Sequence, residues 1–373
     1  MGSLTRALVI FVVLAVLGVA AYALTGPHHR VDEWKHRLTS SAAAPAAPPP
    51  ASSRAPPASS AAAAAARSDP LLPDRPMMLD SAPRAQAGDW VTARPGFQYS
   101  HSAAERGGVE PCSTQNVDTS AFDDWTPLAQ GHFSAPRADT LDAAGHFDLI
   151  IHLHGDDPVR RQLALSGQHF VLYTLTLAAD QGYAPLFSSS QLFESIEHQI
   201  EQALSKHLGK PARVGHVALS AWSAGFVGVE AALAQPTSKD VDAVLLIDGL
   251  HGPRADHEAF KAQLQPFLDY AKRAAAGDRF MFVSHSSIDP PDFASTTESA
   301  HYLIAQLGGR PDAVRRNDAL GLELIEAFDR ADFHVRGYAG NDKADHCAQL
   351  ALLRDAYAAL GRRWAGKAPP ASH

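Results

Sequence analysis

The stretch from Val214 to Ala234 reads VGHVALSAWSAGFVGVEAALA, and three segments can be told apart in it. Val214 to Ser220 is an apolar run of strand length, and Phe226 to Ala234 is an apolar segment of helical character. Between them, Ala221-Trp222-Ser223-Ala224-Gly225 has to turn the chain sharply. In a strand-to-helix elbow the serine takes a strained backbone, and the residues two before and two after it must be small so that strand and helix can approach. Ala221 and Gly225 meet that demand, alanine standing where glycine is usual. The helix begins at the serine, so the unpaired amides and positive dipole end of its first turn face any anion formed there, with the Ala224 N–H as one donor. Ser223 is therefore the candidate nucleophile.

On both sides of the elbow, short apolar runs alternate with longer periodic segments, which predicts an α/β fold with a mostly parallel, doubly wound sheet. Strands are expected at Phe147 to Leu153, His169 to Leu175, Val214 to Ser220, Ala243 to Asp248, Arg279 to Ser284 and Phe333 to Gly337. Helices are expected at Ser190 to His207, Ala224 to Leu233, His257 to Ala275, Thr296 to Leu307 and Asp345 to Leu360. Near-continuous apolar strands such as AVLLI point to burial on both faces. Ligands on such sheets bind beyond the carboxyl ends of the strands, so the residues there are the ones to inspect.

A serine at neutral pH needs a histidine to take its proton and a carboxylate to orient that histidine. His346 lies in a glycine-containing loop after the last expected strand, in GYAGNDKADHCAQLALL. Two acids precede it. Asp248 ends AVLLIDGLHG, Asp289 follows FMFVSHSS, and the sequence does not choose between them. His251 and His285 also follow strands and are either substrate contacts or structural histidines. Upstream, FDLIIHLHGDD carries His152-x-His154-x-Asp156-Asp157, part of the His-x-His-x-Asp-His metal motif without its closing histidine. Strand alternation would put His152 and His154 on one side. These three residues, His152, His154 and Asp156, are the alternative metal-dependent hydrolase site.

From about Phe147 to Leu360 the chain resembles the α/β-hydrolase superfamily in the order of its motifs: HGD after an early strand, AWSAG at the elbow, acids after two later strands, and DHC at the end. The resemblance implies a Ser-His-Asp triad, with Ser223 as nucleophile, His346 as base and Asp248 or Asp289 as acid. It implies acyl transfer to water with no cofactor. It also implies a second oxyanion donor from the His-Gly loop, the backbone N–H of Gly155 or Asp156, beside that of Ala224. The resemblance does not identify a substrate, and the bond cleaved would be that of a small-molecule or lipid-like ester, with an amide as the alternative. The segment Gly182 to Phe193, GYAPLFSSSQLF, reads either as part of a lid or acyl pocket or as ordinary core.

The chain has 373 residues, 46% hydrophobic and 19% charged, enough for one large domain with additions. A formal net charge of -8 argues against nucleic acid as a partner. Ala7 to Leu24 is an unbroken apolar run of a length that spans a bilayer, preceded by Arg6. It is expected to be an uncleaved membrane anchor within residues 1–25, and Ala21-Tyr22-Ala23 offers the cleavage site that would make the protein secreted. Residues 26–89 form a linker rich in Ala, Pro and Ser, expected to be disordered and to act as a semi-rigid spacer. Residues 90–366 would form the hydrolase domain, facing the periplasm or cell exterior, with 367–373 as a tail. The two cysteines, Cys112 and Cys347, either pair or remain separate buried thiols. The same layout also describes an envelope scaffold or binding protein with a catalytically silent hydrolase-like domain.

Overall fold

The computed structural model describes residues 117–177, 182–317, 322–340 and 343–365. The expected anchor, the linker and Cys112 lie outside them, and no helix among the described residues is long and apolar enough to cross a membrane. The strands are Thr126–Pro127 (β1), His132–Ser134 (β2), His146–Leu153 (β3), Val171–Leu175 (β4), Arg213–Trp222 (β5), Ala243–Ile247 (β6), Gly252–Pro253 (β7), Phe280–His285 (β8), Phe293–Ala294 (β9), Asp312–Asn317 (β10), Glu323–Arg330 (β11) and Phe333–Tyr338 (β12). The α-helices are Asp156–Ser166 (α1), Tyr183–Phe187 (α2), Ser190–Leu208 (α3), Phe226–Leu233 (α4), His257–Ala275 (α5), Thr296–Gln306 (α6), Lys343–Ala348 (α7) and Leu353–Trp364 (α8).

Ten strands form one sheet in the order β1-β2-β4-β3-β5-β6-β8-β12-β11-β10, and β7 pairs with β9 apart from it. The run from β4 to β12 is parallel throughout. The edges, β1-β2-β4 and β12-β11-β10, are antiparallel. This is an α/β fold with a mostly parallel central sheet, like that of α/β-hydrolases.

The two-residue period of the strands sorts their side chains into two cores. In β3, Leu149, Ile151 and Leu153 join a cluster with Phe193, Ile196 and Ile200 of α3 and Phe226 and Val229 of α4. Ile150 points the other way, into a cluster with Val159 and Leu163 of α1 and Tyr357 and Leu360 of α8. Both faces are therefore covered, which is why β4, β6 and β8 are buried along their whole length.

Chain order sets where a site can form. From β3 the chain crosses through α1 to β4 on one side, then returns over the other face through α3 to β5 on the opposite side. The direction of winding thus reverses at β3, and the crevice beyond the carboxyl ends of β3 and β5 is the switch point where ligands bind in such sheets.

All six expected strands are present within a few residues. The antiparallel edge strands β1, β2, β10 and β11 and the helix α1 are additions. The helix expected over Asp345 to Leu360 is broken into α7, a 3-10 turn at Gln349–Leu352, and α8. The break coincides with a long-range contact, since the buried Gln349 side chain accepts a hydrogen bond from Ser284 Oγ at 2.7 Å. In the segment from Gly182 to Phe193, Tyr183, Phe187 and Phe193 are all buried in the first core cluster.

The packing of α4 against β3 rests on a missing side chain. A Cβ at Gly225 would fall well inside van der Waals contact with the Leu153 carbonyl, which is backbone and cannot swing aside. Gly225→Ala should therefore lower the unfolding free energy by about 1–3 kcal/mol. Urea denaturation reads this directly, and an unchanged midpoint would contradict the contact.

Candidate active site

Three neighbouring strands, β3, β5 and β6, end in non-glycine residues with positive φ. His154 has φ 75°, Ser223 φ 53° and Asp248 φ 43°. Such backbone is costly for residues with a Cβ, on the order of 1–3 kcal/mol each, and tends to gather at functional sites. The three residues occupy adjacent strand ends at the switch point.

Ser223 opens a 3-10 turn, Ser223–Gly225, that runs directly into α4. The strand arrives extended, with Trp222 at φ -115° and ψ 142°, and the chain reverses at the serine. Gly249 braces this turn from the next strand. A Cβ there would meet the Ser223 carbonyl oxygen at 2.5 Å, so only glycine allows Asp248-Gly249 to pass so close behind the serine.

Of the two candidate acids, Asp248 is the one paired with His346. His346 Nδ1 lies 2.7 Å from Asp248 Oδ2 across 98 residues of chain. Asp248 is buried, and its Oδ1 accepts from the Ser286 amide at 2.7 Å and the Thr296 hydroxyl at 2.8 Å. Burial alone would raise its pKa, but the hydrogen bond and charge of His346, with the Ser286 amide and Thr296 hydroxyl, bring the carboxyl below its ordinary range. With a carboxylate holding Nδ1–H, the imidazole keeps its Nε2 lone pair for a proton from elsewhere. Asp289 is at the surface, ion-paired with Arg254, which also bonds Glu298 at 2.9 Å.

Trp222 joins the serine turn to the histidine. Its ring stacks on His346 at 4.9 Å between centroids, and its Nε1–H donates to the His346 carbonyl at 3.3 Å. It also stacks on His154, at 5.3 Å. Trp222, Ser286 and Thr296 were not legible as site residues. The Ser295-x-x-Glu298 capping box does mark the start of α6, but nothing local says that its first residue reaches back to Asp248. Cys347, next to His346, is disulfide-bonded, and its expected partner Cys112 lies outside the described residues.

The His-Gly loop supplies amides on the opposite side. The Gly155 N–H donates to Thr176 Oγ1 at 3.0 Å, so it is already engaged. Asp156 is the first residue of α1, a position whose amide has no partner within the helix, and no side chain caps this helix end. Of the two expected loop amides, that of Asp156 is therefore the one left open.

His152 and His154 do not share a side. β3 ends at Leu153, and the positive φ of His154 turns its ring away from the strand's alternation. Its Nδ1 meets the Tyr183 hydroxyl at 3.0 Å. His152 is fully buried, with Nδ1 2.8 Å from Ser220 Oγ and Nε2 3.3 Å from the His154 carbonyl. Asp156 Oδ1 accepts from the Thr176 hydroxyl at 2.9 Å. Among the described residues, these three are not a group whose ligand atoms converge. His251 bonds the Ala294 carbonyl through Nδ1 at 3.1 Å and sits edge-on to Phe226 and Phe293. His285 Nε2 lies 2.8 Å from Glu326 Oε1.

No protein-family profile matches the chain, and no curated protein is similar to it in sequence. Solved structures do resemble it. The enterobactin esterase FES from Shigella flexneri matches with a TM-score of 0.38 and 13% identity over 58% of this chain and 53% of its own length, so the chain spans about half of it. An acylaminoacyl peptidase from Pyrococcus horikoshii matches with a TM-score of 0.37 and 13% identity, over 68% of this chain and 43% of that one. An IroE-like serine hydrolase from Shewanella oneidensis matches with a TM-score of 0.38 and 12% identity, over 62% of this chain and 79% of that one. Similarity at this level carries no activity over to this chain.

One titration is set by the fold behind the site. Burial lowers the pKa of His152 to about 3, whereas an unfolded histidine titrates near 6.5. Between those values the unfolded chain binds a proton that the native state refuses, so stability falls as pH falls, by about 1.4 kcal/mol per pH unit from this residue. His152→Gln should flatten the pH dependence of urea unfolding by about one proton between roughly pH 6 and pH 4. An unchanged slope would show that His152 is not held neutral.

Proposed function

We propose that the chain is a serine hydrolase that cleaves an ester bond through an acyl-enzyme on Ser223, with His346 as general base and Asp248 as the orienting acid. The observation that carries this reading is the 2.7 Å contact of His346 Nδ1 with the buried Asp248 carboxylate, beside a serine held at φ 53° on a strand-to-helix turn. The acid and base, 98 residues apart in the chain, pair as acyl transfer by a serine requires.

In the reaction, Ser223 Oγ attacks the ester carbonyl carbon while its proton passes to His346 Nε2. The carbonyl π electrons move onto oxygen, and the Ala224 and Asp156 amides at two helix starts donate to that oxyanion. Collapse breaks the ester C–O bond, and the imidazolium returns the proton to the departing alkoxide. Water then attacks the acyl-enzyme by the same route, with the proton again passing through His346, and releases the acid and free Ser223. Asp248 stays ionised and steadies the imidazolium. Water is the only co-reactant. Beside the turn, the rings of Phe226, His251 and Phe293 support an apolar portion on a small-molecule or lipid-like substrate.

The apolar run at residues 7–24 and the Ala/Pro/Ser-rich stretch after it support placing this domain outside a membrane on an N-terminal anchor. The full chain should then stay in the pellet when membranes are washed with alkaline carbonate. Its appearance in the wash would refute anchoring.

A fluorophosphonate probe should label the purified chain, and Ser223→Ala should abolish both labelling and hydrolysis of chromogenic esters. Labelling that persists in this variant defeats the reading. Asp248→Asn should lower kcat by about 10²- to 10⁴-fold, because the amide no longer holds the productive tautomer. Asp289→Asn should leave activity within about twofold, since it removes only a surface ion pair. The reverse order of the two effects would assign the acid to Asp289.

A further inference from the structure

Three side chains outside the serine site converge behind the sheet's carboxyl edge: His285 at the end of β8, His301 on α6 and Glu326 on β11. One donor atom from each lies within 4.8 Å of the others. Glu326 Oε1 is 2.8 Å from His285 Nε2 and 2.5 Å from His301 Nε2, so two imidazoles address one carboxylate oxygen.

The protons around His285 decide how to read the group. The Thr297 hydroxyl donates its single proton to the Ser286 carbonyl at 2.7 Å. Its oxygen therefore accepts from His285 Nδ1–H at 2.9 Å, and the neutral ring presents a lone pair at Nε2. That nitrogen is buried and has no hydrogen-bond partner of acceptable direction, although Glu326 is 2.8 Å away. A buried imidazole nitrogen and a carboxylate oxygen side by side can serve as two ligands of one tetrahedral ion. There the ion sits on the Nε2 axis and the neighbouring ligand lies off that axis. For zinc, with bonds near 2.0–2.2 Å, adjacent ligand atoms stand about 3.3 Å apart, so the present spacing has to open by under 1 Å.

We propose that His285, His301 and Glu326 form a binding site for a divalent transition-metal ion of the zinc class, which joins β8, α6 and β11. The donor set of two imidazoles and one carboxylate suits zinc, and water completes the tetrahedron. The Thr297 contact is the outer hydrogen bond that fixes a ligating histidine's tautomer and direction. Glycine at position 337 leaves the room, because a Cβ there would meet Glu326 Cγ at 2.5 Å and the His285 ring at similar range. His301 is partly exposed, which gives the ion a way in. The ion would also brace the proposed triad acid indirectly. Thr296 and Ser286, which bond Asp248, are chain neighbours of Thr297 and His285.

The test uses the full-length chain, stripped with a chelator, dialysed and titrated with zinc by calorimetry, with metal content read by mass spectrometry. Beyond any binding shared with the variants, one zinc per chain is expected, with a rise in Tm. His301→Ala, on the outer side of α6, and Glu326→Gln should each weaken that binding at least about tenfold and remove the Tm rise. Ser223→Ala should bind zinc as the parent does, which separates this site from the serine chemistry. Cobalt(II) in place of zinc should show the visible absorption of a tetrahedral site in the parent and lose it in Glu326→Gln. Zinc binding that is equal in the parent and both variants, or absent from all three, would overturn the proposal and leave a proton-bridged His-Glu-His group.

Discussion

Backbone passing against backbone at the end of β5 is the constraint on which the rest of the site depends. Gly225 lies against the Leu153 carbonyl and Gly249 against Ser223, each at a separation that no side chain could share. Because β3, β5 and β6 are neighbours buried on both faces, they form a stiff platform that holds these contacts. The unfavourable φ values of His154, Ser223 and Asp248 persist because that platform over-determines them. The large apolar burial in the strands below offsets the strain.

The same platform makes the electrostatics possible. A carboxylate as buried as Asp248 would ordinarily be driven toward its neutral form. Its charge is kept by three donors from three separate places: the Ser286 amide after β8, the Thr296 hydroxyl at the start of α6, and His346 on α7. The two elements that hold Asp248 from the far side, β8 and α6, also carry His285 and His301. The acid and the His-Glu-His group therefore share a scaffold. A change in how α6 sits would be felt by both.

Trp222 has a part that its position in the motif conceals. Adjacent to the serine, it stacks on both His154 and His346 and so links the loop after β3 to α7. Its bond to the His346 carbonyl ties α7 to the elbow, while the disulfide at Cys347 and the 3-10 turn at Gln349–Leu352 hold the chain that follows. The helical texture of the last expected element was legible in the sequence. Its interruption was not, because the break coincides with Gln349 accepting from Ser284 on a strand 65 residues away.

Local chemistry in the chain determined the parallel centre of the sheet and the elbow. Strands buried on both faces must be apolar throughout, and a tight turn must be flanked by small residues, so AVLLI and AWSAG announce themselves. The edge strands β1, β2, β10 and β11 do not, since they are partly exposed and mix polar with apolar residues. Two further matters lay beyond any local reading. Asp248 and Asp289 follow adjacent parallel strands in similar surroundings, and only the folded chain brings His346 to the first and Arg254 to the second. His152 and His154 look like a same-side pair until the strand's end and a positive φ separate them. Burial and turn sterics act on a residue and its near neighbours, so they can be read along the chain. Partnership between residues about a hundred positions apart depends on the packing of whole elements, and tertiary structure alone decides it.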